Sequence, residues 1–237
     1  SSVVDRIVGF SGTPVEFSEA LEGKEESVGD LSQYQWHDQT AADNVLINEK
    51  LSASSFAHFA FSSVSLDQKI SQLKIVTNQY DCILDCSAIF RGIDNACVAR
   101  EIAKVYANNN PQGFEWVLFF NTDNQLSAMP IKMTGGVKVI GATDVANIER
   151  VIGNGKCMVF YDQVHTVGID IKQGPVAKGV LLVDDQIARD AVFQAAMRLR
   201  LLIKGKQSVD IYYNSKVTIE KQKWLHFINQ NQNKISQ

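Results

Sequence analysis

The sequence predicts an α/β domain with a mostly parallel sheet flanked by helices. Three observations carry that expectation. Apolar or nearly apolar runs of strand length recur at Trp116–Asn121, Met158–Tyr161 and Gly179–Val183, and Asp81–Cys86 reads as a further strand. Runs that are apolar throughout suit strands covered on both faces, as parallel strands are. Stretches of helical spacing lie between strands, at Leu66–Gln79 and Asn95–Asn108. Finally, Asp162-Gln163-Val164-His165-Thr166 sets polar groups just past a strand end, where α/β sheets gather ligands.

Composition agrees with a globular domain. The 237 residues are 45% apolar, 9% aromatic and 21% charged, enough to build one sizeable core. A net charge of -3 and a pI near 5.8 lack the basic excess of a nucleic-acid binder. No apolar run reaches the roughly 18 residues of a membrane span, and no signal peptide is visible. The chain starts Ser1-Ser2-Val3 and reads as one cytoplasmic domain, 1–237, of a longer protein. Cys82, Cys86, Cys97 and Cys157 have no zinc spacing and read as small buried hydrophobes of a reduced protein. No metal site is expected.

In chain order, Arg6–Phe10 is an apolar strand running into the turn Ser11-Gly12-Thr13-Pro14. Glu19–Asp38 is acidic and polar, and 18–64 is read as an insertion or mobile segment. Ala41–Leu51 has helical spacing. Phe56–Phe61 (FAHFAF) suits a strand or a short buried helix, with His58 a core or edge histidine. Helix Leu66–Gln79, strand Asp81–Cys86, helix Asn95–Asn108 capped by Asp94 or Asn95, and strand Trp116–Asn121 follow. Thr122–Gln125 is a turn suited to paired strands, and Gly135-Gly136 a break. A helix over Asp144–Ile152 should end at Asn154-Gly155. After strands Cys157–Tyr161 and Gly179–Val183 comes a helix at about Gln186–Ile203, then strand Ser208–Tyr213 and helix Val217–Asn229. The polar tail 230–237 should fray.

Thr166-x-Gly168-x-Asp170-Ile171-Lys172 resembles motif V of the second RecA-like domain of superfamily-two helicases and of the SecA translocase. Gln194-x-x-x-Arg198-x-Arg200 resembles motif VI, which follows at about this distance. The stretch is more similar still to an uncharacterised helicase-like family of very large proteins, with FYDQVHT-x-G-x-DIK before a Q-x-x-x-R-x-R helix. Ser11-Gly12-Thr13 resembles the segment leading into the second motor domain of SecA and the Ser-Ala-Thr motif of helicases. The resemblance implies a RecA-like P-loop NTPase second-domain architecture with insertions. It implies ATP with Mg, shared with an upstream RecA-like domain that completes the site. Thr166, Gly168 and Asp170 would contact the cofactor, and Gln194, Arg198 and Arg200 would form the catalytic set with its arginine finger. Ser11, Gly12, Thr13, His165 and Lys172 would face substrate or the partner domain, with nucleic acid or polypeptide as the polymer moved. The chain contains no G-x-x-x-x-G-K-[ST] and no DE-x-H or DE-x-D box, so the fragment alone should not hydrolyse ATP.

One departure matters. The second motif VI arginine normally stands seven residues after the Gln, and here that position is Leu201. Arg200 lies about 100° around a continuous helix from it, and Met197 replaces the usual Gly. Either the helix breaks between Met197 and Arg200, or Arg200 is not the finger. Asp170 and Arg198 are expected to face one cleft at the carboxyl ends of neighbouring strands. Two other readings stand beside the motor half. One is a degenerate, non-hydrolysing RecA-like domain used as a protein-interaction module. The other is a cysteine hydrolase pairing Cys86 or Cys97 with His165.

Overall fold

The structure is a computed structural model that describes residues 42–61, 64–132 and 134–237. The expected strand Arg6–Phe10, the turn with Ser11, Gly12 and Thr13, and the acidic stretch Glu19–Asp38 lie outside the described residues. The described residues form an α/β domain in which an eight-stranded sheet is flanked by six helices. The elements are α1 (42–53), β1 (Phe56–Phe59), α2 (Leu66–Gln72), β2 (Cys82–Asp85), α3 (Asn95–Asn108), β3 (Trp116–Phe120), β4 (Leu126–Pro130), β5 (Lys138–Gly141), α4 (Val145–Ile152), β6 (Cys157–Tyr161), β7 (Lys178–Val183), α5 (Arg189–Ala196), β8 (Ser208–Asn214) and α6 (Lys221–Ile235).

The strand order is β1-β8-β7-β2-β6-β3-β4-β5. Pairing is parallel from β1 through β3 and antiparallel from β3 to β5. Alternate residues of each central strand face opposite layers. Leu84, Leu118, Val159, Tyr161, Leu181 and Ile211 pack in one cluster with Ile47 and Leu51 of α1, Val192 and Phe193 of α5, and Trp224 and Ile228 of α6. Ile83, Val117, Phe119, Phe160, Val180 and Leu182 pack in the other with Ile70 of α2 and Val98, Ile102 and Tyr106 of α3. Helix cover on both faces is why these strands read as continuous apolar runs.

Several boundaries differ from the sequence expectation. The helix expected over Leu66–Gln79 stops at Gln72, and the following turns place Lys74 and Gln79 at positive φ. Leu73 and Ile75 are still buried there, and Asn78 donates to the Leu73 carbonyl. The helix expected over Gln186–Ile203 spans only Arg189–Ala196. Asp184 captures the backbone N–H groups of Gln186 and Ile187, delaying its start. At the far end the Leu201 N–H goes to the buried Gln207 side chain, and tight turns follow Met197. Helix α4 ends at Ile152, as expected, but the residue that stops it is Gly153, at φ 73°, rather than Asn154-Gly155. Among the described residues Phe56–Phe59 is an edge strand parallel to β8, so the described part of 18–64 is built into the domain as α1 and β1. The turn after β3 does join paired strands, with the Asn121 carboxamide oxygen accepting from Asp123 and Gln125. Strand β5 is an addition, because its exposed pattern with only Ile140 buried gives no apolar run to read. Helix α6 continues to Ile235 through the tail expected to fray. There Asn231 donates to the carbonyls of Asp185 and Ile187, and Gln232 accepts from the Asp190 N–H. Among the described residues no helix is long and apolar enough to cross a membrane.

Candidate functional site

The residues singled out by the sequence cluster on the connection from β6 to β7. Because β2 lies between those strands, residues 162–177 must cross it. They do so with one short 3-10 turn, Gln163–Thr166, and otherwise extended chain. Asp162 opens the turn by accepting the N–H groups of Val164 and His165. Its other oxygen lies 2.7 Å from His165 Nδ1 and accepts the Asn95 amide at 2.6 Å. Asn95, the first residue of α3, also donates to the Phe120 carbonyl at the end of β3. The His165 ring stacks on Phe120, with centroids 3.9 Å apart and planes 6° from parallel. Asp162, Asn95, His165 and Phe120 thus tie the ends of β6, α3 and β3 together. The Thr166 hydroxyl is buried and donates to the Gln163 carbonyl, so it closes the local turn.

Gly168 follows with φ 75° and open space where a Cβ would stand; another residue would be strained there by backbone conformation, not by crowding. Beyond it the connection meets the end of α5. Arg198 donates through Nη1 to the Ile169 carbonyl and through Nε to the Gln194 carbonyl. Arg200 Nε donates to Asp170 Oδ1 at 3.1 Å. The two arginines have different environments. Arg198 is buried, and that burial, followed by the nearby Arg200, lowers its guanidinium pKa. Arg200 and Asp170 keep 27% and 65% of their side-chain surface exposed. Gln194 is exposed and contributes its backbone carbonyl. Lys172 is exposed, while Ile171 beside it enters the core.

Ile169, Asp170, Arg198 and Arg200 therefore lie on one contact between the crossing chain and the turns after α5, with Gly168 just before it. Thr166 and His165 sit apart from it, at the carboxyl end of β6. Asp170 and Arg198 are neighbours, but not at the carboxyl edge, as the sequence led us to expect. Helix α5 leaves the carboxyl end of β7 and returns toward the amino end of β8, so residues past its C-terminus have already crossed the sheet face. Two glutamines that hold the crossing chain escaped the sequence reading. Gln207 donates to the Gly174 carbonyl at 2.7 Å, and Gln173 to the Tyr161 hydroxyl at 3.2 Å. A lone Gln in a polar loop carries no signal of which distant group it will reach.

Burial, with Asp85 as the second cause, drives the Cys86 thiol well above its ordinary value, which makes it a poor nucleophile. Among the described residues no group of three or more His, Cys, Asp or Glu side chains is arranged to hold a metal ion.

No protein-family model, curated protein or solved structure matches this chain.

Proposed function

We propose that this domain is the second half of a nucleotide-driven, helicase-like or translocase-like motor. The observation that carries the reading is the joining of its two motif-like segments: Arg198 binds the Ile169 carbonyl, and Arg200 pairs with Asp170. The end of α5 at Ala196 bears on the spacing problem. Arg200 stands on a turn beside the Gly168–Lys172 segment, so the angle it would have on a continuous helix no longer applies. Arg198, buried and committed to backbone carbonyls, positions that segment. Arg200, partly exposed, is the arginine offered to a ligand. Its planar fork suits phosphate oxygens, and the exposed Lys172 adds a second cation. These groups suit the phosphate end of ATP. Bound there, MgATP supplies the phosphoryl group whose transfer drives motion.

The test uses the chain extended upstream through the neighbouring domain. Arg200→Ala should lower ATP turnover by about 10³-fold, as loss of an arginine finger does, with the melting temperature unchanged. Arg198→Ala should lower turnover and melting temperature together. Full turnover in Arg200→Ala sinks the motor assignment. The interaction-module reading draws support from Val164, 74% exposed, and Val167, 45% exposed, on the crossing chain. No ATP turnover by the extended wild-type protein would favour that reading.

A further inference from the structure

Gly153 stops α4, which leaves Asn154-Gly155 without the helix-stopping role its sequence suggests. This is the one Asn-Gly dipeptide in the chain. Both residues lie in the turn between α4 and β6, outside helix and strand. Asn154 is exposed, and among the described residues its carboxamide makes no hydrogen bond. Other asparagines are held by theirs. Asn95 donates to the Phe120 carbonyl and to Asp162, Asn147 donates to the Ile140 carbonyl, and Asn214 accepts from the Phe61 N–H. The Gly155 N–H also makes no hydrogen bond among the described residues. Glycine has no side chain to keep its nitrogen from the carboxamide before it. A Cβ at Gly155 would stand 2.7 Å from Glu115 Oε2, so glycine leaves both this approach and the Glu115 side chain undisturbed.

We propose that Asn154 is a modification site, at which the folded protein deamidates without an enzyme and acquires an isoaspartyl residue. Asparagine is among the chemically labile residues. The Gly155 nitrogen attacks Cγ of Asn154 and forms a C–N bond. The carboxamide nitrogen leaves as ammonia, taking the Gly155 amide proton by way of water. Water then opens the succinimide. Opening at Cγ gives aspartate, and opening at the backbone carbonyl gives isoaspartate. One water is consumed, one ammonia is released, and nothing is oxidised or reduced. Both products add a carboxylate to the turn that Glu115 lies against. The isoaspartyl form also lengthens the link from α4 to β6 by one methylene. That change falls two residues before Lys156, whose carbonyl accepts the Glu115 N–H at 2.8 Å at the start of the β3–β6 pairing. None of this depends on the motor reading.

Incubating the folded 237-residue chain at neutral pH in water enriched in heavy oxygen tests the proposal. The tryptic peptide 151–156 should divide into asparaginyl, aspartyl and isoaspartyl forms, with isoaspartyl in excess and heavy oxygen in both products. Conversion at Asn154 should run at least about tenfold faster than at Asn214, and within about tenfold of a synthetic peptide of residues 149–160. Methyl transfer from S-adenosylmethionine by an isoaspartyl carboxyl methyltransferase should rise in step, and should be absent in Asn154→Gln. Gly155→Ala should slow conversion at least about tenfold by crowding the attacking nitrogen. If that variant melts below the wild type, the same substitution combined with Glu115→Ala relieves the crowding and should show the same slowing. The proposal is overturned by a folded chain that converts more than about tenfold slower than the peptide. Aspartate without isoaspartate overturns it too, as does less than about a twofold slowing in the Gly155→Ala variant that melts as the wild type does.

Discussion

Adjacent strands β2 and β6 each send a connection across the sheet, and the two are built differently. Both begin with an aspartate that accepts two backbone N–H groups. Asp85 holds Ile89 and Phe90; Asp162 holds Val164 and His165. After Asp85 the chain forms α3, fourteen residues with Val98, Ala99, Ile102, Ala103 and Tyr106 buried. After Asp162 it forms no α-helix before β7. A helix satisfies its own backbone, whereas an extended crossing must find partners elsewhere. Here Arg198 supplies the Ile169 carbonyl and Gln207 the Gly174 carbonyl. One connection is held by apolar area, the other by long polar side chains reaching under it. The second arrangement leaves more of its own side chains free, and the motif-like residues lie there.

Substitutions can break this contrast, beginning with the helical connection. Ile102 is fully buried on α3, so Ile102→Ala should destabilise the domain by about 2–5 kcal/mol. Chemical denaturation measures it; a loss under about 1 kcal/mol would mean α3 is not what secures that face.

The start of the same connection should respond to pH. Burial raises the Asp85 carboxyl from 3.8 to about 6, against the opposing hydrogen bonds from Phe90 and Ile89 and with a further push from Asp162. A folded-state value above the unfolded one means that the folded protein binds the extra proton between those pH values. Asp85 therefore favours the folded state at low pH and loses about 2–3 kcal/mol of that contribution as pH rises from about 4 to about 6. The stability difference between wild type and Asp85→Asn should change across this window. Parallel curves would show that Asp85 has an ordinary titration.

The smallest effect belongs to the extended connection. The Asp170–Arg200 pair is largely open to water on the aspartate side, so Asp170→Asn should change stability by less than about 1 kcal/mol. A loss of several kcal/mol would make this pair a structural clamp and remove the contrast.

The residues that declared themselves in the sequence were those whose role is local. Trp116–Phe120 and Cys157–Tyr161 are apolar on both faces because helices cover both, and α3 follows its 3.6-residue spacing and its Asp94 cap closely. What escaped depends on distant partners. The early end of α5 comes with tight turns after Ala196 and Gln207 taking the Leu201 N–H, and the long α6 with Asn231 reaching the loop before α5 and Gln232 its first turn. The site was legible to a similar degree. The Gly168–Lys172 and Gln194–Arg200 segments stand out by pattern, but their direct contact and the burial of Arg198 depend on how the sheet is crossed.

Strand β1 gives the domain a particular order of assembly during synthesis. It pairs along its length with β8, the last strand, and the neighbouring Phe61 N–H donates to the Asn214 side chain. Those two residues are 153 positions apart. At about 5–20 residues per second, a ribosome needs roughly 8–30 s to lengthen the chain by those 153 positions. For that interval His58 and its flanking phenylalanines lack β8, the strand they pair with among the described residues. Chaperone contact with the emerging chain is expected to concentrate there, and to end when Ile211–Asn214 clears the exit tunnel.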